Sequence, residues 1–385
     1  MPSAGGATKA CLLGVGHPLL DISSEVDSKL VQRYGLSMDN TIMAEEKHVN
    51  LYVEMERLPT VKYIAGGSTL NTIRVAQWML QVPEATSFVG CVGKDAAAEK
   101  LRACVARDHV EAHFCIDHKF PTGKCACLIV DKERSLVTDL QAARQYRKDH
   151  LLTKHMTPVC DAAKIIYVAG FMINGTFDTV MHLAEKCSKQ DTRFCMNLSA
   201  PFLMTVKHFA SLFQKVVPYI DILFGNEIEA IAFGQMMGYQ TDSIEAIALA
   251  ASKEKSLTGR PRVVVFTEGP KCTVIAFDGA VHCHDVPELD PQRIVDTNGA
   301  GDAFVGGFLA NLLKGYDLPV CVDGGHFASQ TIIQTSGTAI PTSAPQYVAQ
   351  AATLKQQRNQ RQKDTKTASS AFTACCTSRK ATAAT

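Results

Sequence analysis

The residues most suited to chemistry run from Asp296 to Phe304, as Asp-Thr-Asn-Gly-Ala-Gly-Asp-Ala-Phe. Ile294 and Val295 lead in, so the chain is expected to arrive extended. Gly299 and Gly301 permit a tight turn and a close backbone approach. From Ala300 to Leu313 the apolar spacing of three and four predicts a helix. A helix start presents unpaired N–H groups and a positive dipole end, which suits a phosphate or a developing anion. Asp302 falls in the first turn, beside those amides. A carboxylate there can take a proton from a hydroxyl while the amides of Gly299, Ala300 and Gly301 hold a transferring group. A glycine-rich turn whose Asp merely caps the helix fits the same residues, because short glycine motifs recur by chance.

Other junctions of strand and helix must surround this stretch. Cys11 to Gly16 reads as a short apolar strand ending in Gly14-Val15-Gly16, but the third glycine of a dinucleotide fingerprint is missing, with Leu19 in its place. Pro18 disfavours helical geometry at His17. Asp21 lies just past the strand end, where α/β proteins bind ligands. A vicinal diol or an ordinary turn would use it equally well. At Gly66-Gly67-Ser68-Thr69-Leu70-Asn71 a second glycine pair opens a helix. Ser68 is the expected N-cap, with Asn71 at the third helical position. Cys125–Val130 and Ser135–Leu140 read as a hairpin around residues 131–134, which puts Arg134 at its tip. Lys164 to Gly170 is an apolar strand with Phe171 at its carboxyl end. Asn226 and Glu229 are three apart at a helix start, which suits either a hydrated magnesium ion or a plain cap. Arg262 to Thr267 is another buried strand, followed by Glu268-Gly269, and Leu318 to Ser336 reads as a helix that includes His326.

Strands alternating with helices predict a doubly wound, mostly parallel α/β sheet flanked by helices. The hairpin interrupts that alternation and implies a small β-sheet lid. The division expected is 11–19, 66–119 and 141–345 for a large nucleotide-binding domain and 20–65 with 120–140 for the lid. The chain of 385 residues is 46% hydrophobic and 20% charged, an ordinary globular balance. Residues 350–385 carry seven basic side chains against Asp364, with almost no large apolar residue, and read as a disordered basic tail. The rest is mildly acidic, which argues against a nucleic-acid partner there. No apolar run reaches the roughly 18 residues of a membrane span. Met1 to Ala10 lacks the apolar core of a signal peptide, and 14 Cys then suggest free thiols in a reducing compartment. The expected location is the cytoplasm, with the nucleus also open. Cys125-Ala126-Cys127 and His282-Cys283-His284 each alternate on a strand, where half-buried strand residues are favoured over a metal site.

The stretch Asp296 to Leu309 resembles the second signature of the ribokinase-like carbohydrate and nucleoside kinases. Gly66-Gly67-Ser68 with Asn71 resembles the first. Within that family the chain is similar to the adenosine kinases between about residues 11 and 345. Pro18–Asp21, Ala44–His48, Val75–Met79, Pro121–Gly123, Ala169–Phe171, Asn197–Phe202 and Asp221–Glu227 carry this likeness. The resemblance implies a ribokinase-like fold and ATP-dependent phosphorylation of the 5′-hydroxyl of adenosine to AMP, with Mg2+ accompanying ATP. It makes Asp302 the base, Gly299–Gly301 the anion hole and Arg134 the closing cation over the phosphate. Asp21, Gly66, Gly67, Ser68 and Asn71 then hold the ribose. Phe171 stacks on the base, and Leu19, Leu136 and Leu140 wall it. Asn226, Thr267, Gly269 and His326 fall at the ATP site, with Asn226 and Glu229 holding magnesium through water. His17 departs from the Asn of many relatives, and Thr41 and Thr138 fall at variable positions, so base selectivity stays open. The expected partners are adenosine and ATP, and a monomer is expected. The alternatives are another nucleoside or sugar kinase, or a non-catalytic nucleoside binder.

Overall fold

The computed structural model describes residues 11–347 apart from Asp39 and Lys132. The expected tail at 350–385 therefore lies outside the described residues. In chain order the strands are β1 (Leu12–Val15), β2 (Leu19–Glu25), β3 (Asn40–Met43), β4 (Lys62–Gly66), β5 (Thr86–Gly93), β6 (Glu111–Asp117) and β7 (Lys124–Val130). There follow β8 (Glu133–Asp139), β9 (Ile165–Ala169), β10 (Arg193–Asn197), β11 (Ile222–Asn226), β12 (Val263–Thr267), β13 (Cys272–Phe277) and β14 (Ala280–Asp285).

Nine strands form one sheet in the order β14-β13-β12-β11-β10-β9-β1-β5-β6. It is parallel from β12 to β6, and the β13–β14 hairpin adds antiparallel strands at one edge. The sequence explains this directly. β9 (Ile-Ile-Tyr-Val-Ala) is buried along its length and β12 (Val-Val-Val-Phe-Thr) is buried up to Thr267. Such runs suit a sheet covered on both faces. The strand order turns around at β1, which pairs with β5 on one side and β9 on the other. In open α/β sheets, ligands bind at the carboxyl ends of the strands beside such a reversal.

The second sheet has five strands in the order β3-β8-β7-β2-β4. It contains the predicted hairpin, β7 against β8, and has its own core of Ile22, Leu51, Leu128 and Val137 among others. Both sheets belong to one compact unit that ends at Thr342.

The helix Ala300–Leu313 is apolar nearly all round, and residues 303–311 are buried. It packs between the helices Ser68–Leu80 and Leu318–Ile332. The contacts are backbone-close: a Cβ on Gly306 would lie 2.7 Å from the Thr72 carbonyl, and one on Gly307 would overlap the Gly324 carbonyl. Gly307→Val should therefore lower stability by about 1–3 kcal/mol through overpacking. A urea midpoint within error of the parent protein would contradict this packing account. Among the described residues, no helix is long and apolar enough to cross a membrane.

Candidate active site

A cavity of about 620 Å³ opens between the carboxyl ends of the large sheet and the second sheet. His17 after β1, Phe171 after β9, Ser199 after β10, Asn226 on β11 and Thr267 on β12 line one side. Asp21 on β2, Cys125 on β7 and Leu136 and Thr138 on β8 line the other.

Asp302 sits in the first turn of its helix, as the sequence predicts, and the helix runs over the predicted span. Gly299 is the N-cap and is left-handed at φ 79°, a conformation an L side chain rarely adopts. No side chain caps this end, so the first-turn backbone of Gly299, Ala300 and Gly301 faces the cavity. A short 3-10 turn, Pro291–Arg293, precedes Ile294, which is extended as expected although no strand forms there.

Asp302 Oδ1 accepts a 2.6 Å hydrogen bond from Ser68 Oγ, and Oδ2 accepts one of 3.0 Å from Asn71 Nδ2. Burial raises the Asp302 carboxyl to about 6, against the lowering effect of those two bonds. Ser68 is thus committed to Asp302 and does not cap its own helix. Gly67, at φ 95°, is the N-cap, and a Cβ there would overlap the His17 carbonyl. Asn71 follows one position later in the helix than expected. Its Oδ1 accepts from Arg74 Nη1 at 3.4 Å, which turns its amide nitrogen toward Asp302. Arg74 is itself buried, and its Nε donates to Asp108 at 2.6 Å.

Asp21 faces the cavity from the second sheet. Burial raises its carboxyl to about 7; the Arg74 charge opposes this and Asp302 adds to it. Gly66 stands directly over that carboxyl, where a Cβ would overlap it. His17 is buried at the cavity wall and held near 4 by burial and by Arg144. Phe171 is 38% exposed and its ring lies 6.4 Å from that of Phe202. Leu19, Leu136 and Leu140 line the cavity and cluster with Cys125 and Cys127.

Arg134 departs most from expectation. It is not at a solvated hairpin tip but inside β8, 9% exposed. Its Nε lies 3.0 Å from Asp296 Oδ2, and Nη2 donates to Ser336 Oγ at 2.9 Å. Asp296 also accepts from the Asn298 and Gly337 amides, so Arg134 is tied to the loop that leads to Gly299.

Asn226 and Glu229 form a reciprocal capping box: Asn226 Oδ1 accepts from Glu229 N at 2.8 Å, and Glu229 Oε2 from Asn226 N at 3.0 Å. Burial raises the Glu229 carboxyl to about 7. Both residues line the cavity, as does Thr267. Gly269 and His326 are not among the lining residues. Gly269 is in the turn between β12 and β13. His326 is buried against Phe304, shares a 2.8 Å hydrogen bond with Thr273 Oγ1, and is held near 4 by burial. Its helix turns that face inward, which the periodicity alone did not reveal.

Several lining residues had no assigned role from sequence. Asn197 and Ser199 end β10 at the carboxyl edge, and Ser199 takes a left-handed φ of 70° while its Oγ accepts from Gly170 N. Their position after an apolar strand was the available signal. Phe202, three residues on, had none.

Three comparisons bear on this arrangement. The model of the pfkB family carbohydrate kinases matches residues 28–345. Adenosine kinase 2 of Arabidopsis thaliana is 42% identical over 331 residues, covering 86% of this chain and 95% of the relative. Anopheles gambiae adenosine kinase, solved in complex with P1,P4-di(adenosine-5) tetraphosphate, superposes with a TM-score of 0.79 at 38% identity, covering 87% of this chain and 99% of that one. The Schistosoma mansoni adenosine kinase solved with adenosine and AMP gives a TM-score of 0.77 at 32% identity, over 87% and 98% of the two chains. The chain belongs to the pfkB family of carbohydrate kinases, within its adenosine kinase branch.

Proposed function

We infer that the chain transfers the γ-phosphoryl group of ATP to the 5′-hydroxyl of adenosine, giving AMP and ADP. The observation that carries this is the half-buried Asp302 carboxylate beside the open, uncapped start of its own helix, facing a cavity with Asp21 on the opposite wall. Asp302 accepts the 5′ proton as the oxygen attacks phosphorus. Ser68 and Asn71 hold the carboxylate in place for that step. The amides of Gly299 to Gly301 stabilise the charge that develops on the transferring oxygens. Arg134 supplies a cation next to the same loop.

Asp21 receives the ribose 2′ and 3′ hydroxyls, and Gly67 and Asn71 complete that wall. Phe171, with Phe202 beside it, offers a face to the purine. Asn226 and Glu229 fit a hydrated Mg2+ because an amide oxygen and a buried carboxylate share one cavity wall, and hard oxygen donors suit that ion. Magnesium, when bound with ATP, would neutralise phosphate charge through that pair's water shell. We read the protein as one of a reducing compartment, on the 12 free cysteines among the described residues.

Asp21→Ala should weaken adenosine binding by roughly a hundredfold, since a site built around a hydroxyl pair loses both hydrogen bonds. Turnover at saturating adenosine should change much less. Calorimetric titration decides this, and an unchanged dissociation constant would remove Asp21 from the nucleoside wall. Adenosine, inosine, guanosine and ribose compared as acceptors test the substrate. Preference for ribose would keep the chemistry and overturn the Phe171 wall.

A further inference from the structure

The nucleoside wall contains a second arrangement that phosphoryl transfer does not use. Cys125 and Cys127 alternate on β7, so both side chains project from the same face of the strand. Their sulfurs are 4.0 Å apart. Asp21 stands opposite Cys125 on the neighbouring strand β2. One carboxylate oxygen and the two sulfurs all lie within 4.8 Å of one another. Two thiolates on one tetrahedral ion stand roughly 3.8 Å apart, given metal–sulfur bonds of about 2.3 Å. The sulfurs are therefore placed for a shared ion with little movement of a rigid strand.

The surroundings agree. Cys125 lines the cavity, which gives an entry path, while Cys127 lies behind it at 4% exposure. Two thiolates and a carboxylate leave one negative charge on a divalent ion. Arg74 and Arg134 both act electrostatically on Asp21 and offset it. Thr138 Oγ1 donates to the Cys125 sulfur at 3.4 Å and orients it from β8. Asp21 and Cys125 both line the cavity, so a cavity water would complete a tetrahedral shell.

We propose that Asp21, Cys125 and Cys127 form a site for a soft divalent cation of the Zn2+ or Cd2+ class. On binding, each thiol gives its proton to solvent and each sulfur donates an electron pair to the ion; nothing is oxidised or reduced. Sulfur ligands exclude Mg2+, so the site is separate from the nucleotide's magnesium. Competition between the ion and adenosine rests on the reading that Asp21 holds the ribose: the same carboxylate cannot serve both.

The test uses the full reduced chain titrated with Cd2+ alone, followed by the thiolate-to-cadmium ultraviolet band. The parent protein is expected to bind one equivalent more than Cys127→Ala, or to bind that equivalent roughly tenfold or more tightly. Asp21→Asn should weaken the same equivalent. Cys127→Ser serves where Cys127→Ala does not fold. Thiols elsewhere in the chain contribute equally to every variant and cancel. Identical titrations for the parent and both Cys127 variants overturn the site. A lost equivalent that saturating adenosine fails to displace upholds the site and instead overturns the ribose role of Asp21.

Discussion

Asp302→Asn is expected to lower turnover by roughly a hundredfold or more while adenosine still binds. The substitution keeps the shape and the hydrogen-bonding positions facing Ser68 and Asn71 but removes the base. The pH profile follows from the raised carboxyl. Burial holds Asp302 near 6, and only the ionised form accepts a proton. Activity per adenosine bound should therefore rise with pH from 5, turn over near 6 and level off by 7. The variant should lose that limb. Stability moves the other way. A carboxyl whose folded value lies above its unfolded one, about 3.9, stabilises most below that lower value and loses the contribution as pH rises through about 6. At pH 8 the Asn variant should thus melt no lower than the parent protein. A lower melting temperature there would mean that lost activity reflects a damaged fold.

Arg134→Ala carries the second large effect. Its guanidinium is buried against Asp296, whose carboxylate also accepts the Asn298 and Gly337 amides. Removing one partner of a buried pair leaves the other charge uncompensated, at a cost of about 3–5 kcal/mol. Turnover should fall by roughly 10²–10³, the loss typical of one group that stabilises transition-state charge. Arg134→Lys separates the two roles. It restores a positive charge near Asp296 and so much of the stability, but not the planar fork that also reaches Ser336. Urea unfolding and turnover measured together decide it. Full recovery of both in the Lys variant would reduce Arg134 to a simple counter-charge.

Local signals in the sequence carried the central stretch. The glycines of residues 299–301 and the apolar period of 300–313 are short-range features, and they gave the helix bounds and the place of Asp302. The parallel sheet was equally legible, because β9 and β12 are continuous apolar runs. The misplacements have two causes: a tight turn for Arg134, and contacts far along the chain for the others. Arg134 was expected in a four-residue turn. The strands instead close between Val130 and Glu133, with Asp131 left-handed at φ 49°, a tight turn that no glycine announced. Ser68 looks like a cap until Asp302, 234 residues away, takes its hydroxyl. His326 lies on a real helix, but its partners are Thr273 and Phe304 rather than the cavity. The family resemblance places Asn71 at the ribose, yet Arg74, which aims it, is invisible in the sequence because a buried arginine leaves no mark in an apolar period.

The most direct test follows a γ-labelled phosphate from ATP in the parent protein and in Asp302→Asn, with magnesium and adenosine present. The expected result is label on the 5′ oxygen of adenosine, recovered as AMP, with the rate in the variant lower by roughly a hundredfold or more. Label on another hydroxyl, or a variant that transfers at nearly the parent rate, would contradict the account at its centre.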